Sequence, residues 1–261
     1  MTSLETPVDP ATSAPAAPSS RPPRVWKFWG TLLWGIFAFV AMFLGQIAVV
    51  AYALARNDGS LDLNAMTALL GSGTVISWSV IMGLPAVLVA LWIAIRISRV
   101  SFADYLALRW PGWRELLIGI VSLVVLILAW DLLSKTIGRD VQPGFMGEVL
   151  KSARADNALW LLVLAFCVGA PVTEEFFARG FLYRGWSESF LRPAGAIFLS
   201  SLVWTAMHLQ YDLFFLGEVF SIGLLLGYLR YRSNSTWLTV IVHGINNLAA
   251  TLQTIWLTSQ S

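Results

Sequence analysis

Charge is scarce in this 261-residue chain: Asp, Glu, Lys and Arg supply 12% of it and hydrophobic residues 57%, where soluble domains carry roughly 25% charge. With a mean hydropathy of +0.70, that excludes an ordinary water-soluble domain and leaves the membrane class. The net charge is only +2, so the chain lacks the basic face that a nucleic-acid partner requires. A single cysteine, Cys167, excludes an intramolecular disulfide. It sits inside an apolar run with no activating group nearby in sequence and reads as a small hydrophobe, not a nucleophile. Histidine is limited to His208 and His243. There is no HExxH, the helical zinc-peptidase pattern, and no GxGD of a membrane aspartyl protease. Gly71-Ser72-Gly73 resembles a serine-enzyme turn only superficially and reads as the entrance to a span.

What is present in quantity is long apolar sequence. A crossing helix needs about 20 largely apolar residues, and such runs recur at 29–54, 75–95, 116–133, 158–183, 194–209, 213–228 and 237–257. The expected fold is therefore an all-α polytopic transmembrane helical bundle of about seven spans, six to eight given the short fifth and sixth runs, around a polar intramembrane chamber. Residues 1–25, rich in Pro, Ala, Ser and Thr, cannot bury a core and are expected to form a disordered tail. The apolar run after Lys27 is too long for a cleaved signal peptide. Residues 26–154 form an N-terminal set of spans and loops, and 155–257 a second unit. Segment 135–156, with mixed charges and Pro143-Gly144, reads as an external loop with an interfacial helix.

Orientation follows from where Lys and Arg collect. Arg21, Arg24, Lys27, Arg96, Arg99, Arg109, Arg114, Arg184, Arg192, Arg230 and Arg232 fall in one set of alternate loops; Arg56, Lys135, Arg139, Lys151 and Arg154 fall in the other. The N-terminus is accordingly expected in the cytoplasm, in the plasma membrane if the source is prokaryotic. Trp26, Trp29, Trp110, Trp113 and Trp186 near span ends fit an aromatic belt.

Ionisable groups inside spans cost at least about 2.5–3.5 kcal/mol each on insertion scales, so each one is a functional hypothesis. Here they cluster. Glu175 and Arg179 are four residues apart and can pair on one helical face. Glu174 is rotated from Glu175 by about 100° and stays available. Pro171 removes a backbone donor just upstream and is expected to kink the helix. Trp204 stands four residues before His208, and His243 four before Asn247. Asn246 points to another face, Asp131 is expected to reach the interface, and Glu218 either lines a cavity or marks a short loop. A carboxylate with a His can deprotonate a water, and a second His with an Asn amide can donate to the oxyanion of an attacked carbonyl. Counting about 1.5 Å per residue puts Glu174 and His243 on the cytoplasmic side of the midplane and His208 beyond it, so tilted or broken helices must bring them level.

These residues resemble the motifs of the CAAX prenyl protease and bacteriocin-processing (CPBP, or Abi) family. Segment 170–180 holds its EExxxR pattern as Glu174-Glu175 and Arg179, Trp204 to His208 resembles its FxxxH, and His243 to Asn247 its HxxxN. The resemblance covers roughly 155–257, with Trp204 where Phe is usual and Ala178 where an aromatic is frequent. It implies an intramembrane glutamic endopeptidase in which Glu174 and His208 activate water, His243 and Asn247 form the oxyanion site, and Glu175 and Arg179 support them. No cofactor is expected, although Glu174, His208 and His243 are a chemically possible zinc set. The implied partners are a peptide or membrane-protein substrate and the lipid bilayer. A non-catalytic immunity-type or scaffold protein of the same fold is the alternative reading. A proton-coupled transporter is a third, against which stands the lack of an evident repeat between chain halves.

Overall fold

The computed structural model describes residues 23–56, 63–139 and 144–259. The tail expected over residues 1–25 falls almost entirely outside the described residues, as does Pro143. Among the described residues ten helices follow in order: α1 (Phe28–Ala55), α2 (Leu63–Leu70), α3 (Gly73–Ser98), α4 (Phe102–Leu106), α5 (Trp113–Thr136), α6 (Gly144–Ala155), α7 (Leu159–Ser187), α8 (Arg192–Ala206), α9 (Leu213–Ser233) and α10 (Thr236–Ser259). No strand occurs among the described residues.

Each of the seven apolar runs coincides with a helix, and α1, α3, α5, α7 and α9 are individually long and apolar enough to cross a membrane. The fifth run ends early. Helix α8 has 15 residues, about 22 Å, short of a hydrocarbon core of about 30 Å, and His208 lies in the turn beyond it rather than inside a span. Helix α10 is long enough, with 24 residues, but Thr239, His243, Asn247 and Thr251 recur along it every four residues. That polar stripe faces inward, with Thr239, His243 and Thr251 buried.

The outer surface explains where the apolar composition goes. On α5, Leu117, Ile118, Val121, Val124, Val125 and Leu128 are all exposed, and only Gly119, Leu123 and Ser134 are buried. So continuous an apolar exterior is stable only against lipid, and the chain is an integral multi-pass membrane protein. Helix α7 is the opposite case: 61% of its most apolar window is buried, against 11% for α5. It is the central post of the bundle.

Two local devices set the depth of that post's neighbours. Helices α1 and α3 cross closely because Gly45 has no Cβ, which would stand 2.7 Å from the Met82 carbonyl oxygen. At the other end of the bundle Arg109 donates to the carbonyls of Ser233 and Asn234, while Ser235 Oγ donates to the Arg109 carbonyl and Thr236 Oγ1 to that of Leu106. This lattice clamps the start of α10, so His243, seven residues on, enters the bundle at a fixed height. Helix α6 docks where the interfacial helix was expected; Val149, Leu150 and Ala153 are buried, and Ser152 Oγ accepts from the Gly73 amide. Helices α2 and α4 are too short to have stood out from the sequence. Ser72 caps α3 by accepting from the Val75 amide, the turn expected of Gly71-Ser72-Gly73.

Candidate active site

Helix α7 is not a regular α-helix. It widens into π turns at Ala165–Gly169 and Phe176–Leu182, which flank an α-helical stretch, Ala170–Glu175. Pro171 accounts for the first. It has no N–H, and its ring conflicts with the preceding turn, so the chain takes one residue more per turn there, and the Ala170 amide reaches back to the Ala165 carbonyl. The Phe166 carbonyl thereby loses the amide it would have met in an α-helix. Asn247 replaces it, its Nδ2 donating at 2.8 Å. The kink expected at Pro171 is thus a widened turn, a form common at functional sites.

On the α-helical stretch the two glutamates diverge. Glu175 and Arg179 are fully buried and paired at 2.8 Å. Arg179 Nη2 also donates to the Gly223 carbonyl at 3.0 Å, and its guanidinium lies over the Trp204 ring, 4.7 Å from the centroid. Glu175 Oε1 accepts from His243 Nδ1 at 3.0 Å. Glu174 turns away, as the 100° offset requires, and its Oε2 accepts the Trp204 indole N–H at 2.5 Å.

Around Glu174 Oε2 the imidazoles converge, His208 Nε2 at 3.9 Å and His243 Nε2 at 4.0 Å. Both are beyond direct hydrogen-bond range and suit one intervening small molecule. The tautomers follow from the partners. His208 Nδ1 lies 2.9 Å from the Trp204 carbonyl, which can only accept, so Nδ1 carries the proton and the Nε2 lone pair faces Glu174. That carbonyl has lost its i+4 amide because α8 ends there: the His208 N–H turns to the Thr205 carbonyl, and the Trp204 carbonyl keeps only the Met207 amide beside the imidazole. Packing fixes the ring as well: Trp204 meets it edge-on at 4.8 Å and Tyr211 stacks on it at 6.3 Å. Glu174 and His208 keep 17% and 18% of their side chains accessible, whereas His243 keeps 2%, so a reactant reaches the first two directly.

The difference in depth expected for His208 vanishes in this arrangement. Four residues separate α7 from α8, which runs back along it, so Trp204 meets Glu174 level and His208 hangs from the end of the helix over the carboxylate. The turn is held from outside by Asp212, which accepts from the Phe214 and Phe215 amides and pairs with Arg139 at 2.6 Å.

Trp204, expected from the sequence to support His208 by packing beside it, does so, and its indole also donates to Glu174, a contact the four-residue spacing does not reveal. The wall opposite Glu174 comes from the N-terminal helices, which carry no motif: a cavity of about 270 Å³ is lined by Phe39, Met42, Phe43 and Gln46 of α1 together with Thr173 and Glu174. Asn246 donates to Asn247 Oδ1 at 3.3 Å, which aids the aim of that amide. Glu218 lies within α9, not in a loop, and Asp131 of α5 is its electrostatic neighbour. Cys167 is free and half-buried in the first π turn. Among the described residues no group of three His, Cys, Asp or Glu side chains is arranged to hold a metal ion.

Compared with known proteins, residues 156–249 match the model of a family described as Type II CAAX prenyl endopeptidase Rce1-like. No curated protein and no solved structure matches the chain. The matched segment spans α7 to α9 and α10 as far as residue 249, and so contains Glu174, Glu175, Arg179, Trp204, His208, His243 and Asn247.

Proposed function

We propose that this chain, whose residues 156–249 match the Type II CAAX prenyl endopeptidase Rce1-like model, is an intramembrane glutamic endopeptidase of that kind. The observation that carries the proposal is the approach of His208 Nε2 and His243 Nε2 to within 4.0 Å of one oxygen of Glu174.

A water between Glu174 and His208 donates one hydrogen to the carboxylate and the other to the imidazole lone pair. As its oxygen attacks the scissile carbonyl, Glu174 takes the first proton, the carbonyl π bond becomes an oxyanion, and a tetrahedral intermediate forms. Collapse breaks the C–N bond, and the proton held by Glu174 passes to the departing amine. For His243 to donate to the oxyanion, Nε2 must carry a proton while Nδ1 donates to Glu175, so the ring acts as an imidazolium. Asn247 spends one amide hydrogen on Phe166 and keeps the second for the oxyanion. Glu175 and Arg179 hold His243 and Trp204 in register and touch no reactant.

The segments bearing Arg24, Arg96, Arg109, Arg184 and Arg230 gather at one end of the bundle, since Arg24 N bonds the Ser98 carbonyl and Arg109 bonds the α9–α10 turn. This supports a cytoplasmic N-terminus with the reaction centre reached from within the membrane. The test is proteolysis of a peptide library by the detergent-solubilised protein, read by mass spectrometry, against Glu174→Ala, His208→Ala and His243→Ala. Each substitution is expected to abolish turnover. A Glu174→Ala protein that cleaves as well as the original sinks the mechanism.

A further inference from the structure

The cavity beside Glu174 does not end at the carboxylate. It shares Phe39, Ala206 and Met207 with a second space of about 280 Å³ that runs between α1 and α8 and is lined almost wholly by carbon, including Leu32, Ile36 and Leu182. Phe39 stands where the two spaces meet and Phe43 beside the first, and both are exposed on the outer surface. Toward the far end of α1 the wall changes character at Gln46. Its side-chain amide has no hydrogen-bond partner among the described residues; its backbone carbonyl alone accepts, from Ser79 Oγ. Room for that amide comes from Gly83, where a Cβ would stand 3.3 Å from Gln46 Nε2. An unpaired carboxamide inside an apolar bundle is costly; facing a cavity that also holds Glu174, it is poised to meet a ligand.

We propose that α1 is one wall of the substrate channel, that the substrate is an apolar peptide segment entering in extended form from the bilayer between α1 and α8, and that Gln46 hydrogen-bonds its backbone. Leu32 and Gln46 are fourteen residues apart on one helix, about 21 Å, the span of about six extended residues. Glu174 lines the half that holds Met42 and Gln46, and the apolar space that holds Leu32 and Ile36 extends beyond it. The side chains on one side of the scissile bond occupy the apolar seam, and the backbone on the other side meets the carboxamide, which has both the N–H and the C=O that an extended chain requires. A water-soluble peptide gains nothing from the seam, and an acyl chain gains nothing from Gln46; an apolar peptide uses both.

The inference rests on the endopeptidase reading, and two readouts keep their failures apart. A fluorescein-labelled apolar peptide of about ten residues, selected from a library by binding to the Glu174→Gln protein, is titrated by anisotropy onto that protein with and without Gln46→Leu. Its quenched counterpart measures turnover by the protein with Glu174 intact. Gln46→Leu is expected to weaken binding and raise KM roughly three- to tenfold, the loss of one or two neutral hydrogen bonds, with kcat within about twofold. N-methylation of one backbone amide in the peptide is expected to cost the Gln46 protein a similar factor and the Gln46→Leu protein nothing. A purely structural Gln46 would not produce that coupling. Equal losses from N-methylation in both proteins, unchanged affinity on Gln46→Leu, or no peptide binding overturn the inference. Turnover that survives Glu174→Gln sinks the glutamic mechanism, while the binding data still decide the role of Gln46.

Discussion

The Trp204 indole N–H donates to Glu174 Oε2 at 2.5 Å, while the same ring lies beneath the Arg179 guanidinium and edge-on to both histidines. A phenylalanine, the usual residue of the motif, can reproduce the packing but not the donor. Trp204→Phe is therefore expected to leave the thermal unfolding temperature nearly unchanged and to lower kcat roughly tenfold or more, since a hydrogen bond to a charged group is worth about 1.5–3 kcal/mol. Initial rates on a quenched peptide, set beside unfolding curves, separate the two effects.

Arg179 neutralises Glu175 at a site with no solvent access. Arg179→Leu leaves that carboxylate uncompensated and is expected to destabilise the bundle by about 3–5 kcal/mol. Pairing it with Glu175→Gln removes the stranded charge and is expected to recover much of the loss in unfolding temperature without restoring turnover, because His243 then lacks its carboxylate partner.

Gly244 sits where α10 crosses the first π turn, and a Cβ there would stand 2.7 Å from the Cys167 carbonyl oxygen, a backbone atom that cannot swing aside. Gly244→Ala is expected to push the two helices apart at a cost of about 1–3 kcal/mol. The Asn247 to Phe166 bond, one turn further on, is expected to lengthen with it. Thermal unfolding and kcat should fall together.

Asp212 is held below the usual carboxylate range, first by the Phe215 amide, then by the Phe214 amide and Arg139. A depressed folded-state value means its contribution is present above the ordinary aspartate value of about 3.9 and fades as pH falls through the depressed one. Unfolding temperature measured from pH 7 down to pH 3 should therefore drop more for the original protein than for Asp212→Asn. At neutral pH Asp212→Asn is expected to loosen the turn bearing His208 and to lower kcat more than it raises KM.

Added chelator is expected to leave turnover unchanged if Glu174 itself takes the proton from water. Activity lost to chelator and regained with zinc would replace that mechanism with a metal-bound water held by Glu174, His208 and His243.

Long apolar runs and four-residue spacings are properties of one helix at a time, and these were legible: the seven helices, the Glu175 to Arg179 pair and the shared face of His243 and Asn247 all follow from periodicity. What periodicity does not carry is contact across helices. The end of α8 at Ala206 could not be read from a run whose hydropathy continues to residue 209, because the break is made by the turn around His208 and its anchor Asp212. The wall supplied by α1 has no sequence mark at all, since Gln46 matters only for what stands opposite. The family's two altered positions read differently in three dimensions as well: Trp204 and Ala178 share one buried cluster with Ile222 and Leu226, the enlarged ring beside the reduced side chain.

The widened turn at Ala165–Gly169 ties the length of α7 to its chemistry. A π turn stores one surplus residue, and here the surplus frees the carbonyl on which Asn247 is aimed. A chain shortened by one residue in that turn would have a more regular helix and the same composition, yet every group before it would be rotated by about 100° relative to Glu174. In this protein the irregularity is inherited information: the gauge that keeps the two halves of the longest buried helix in phase with each other.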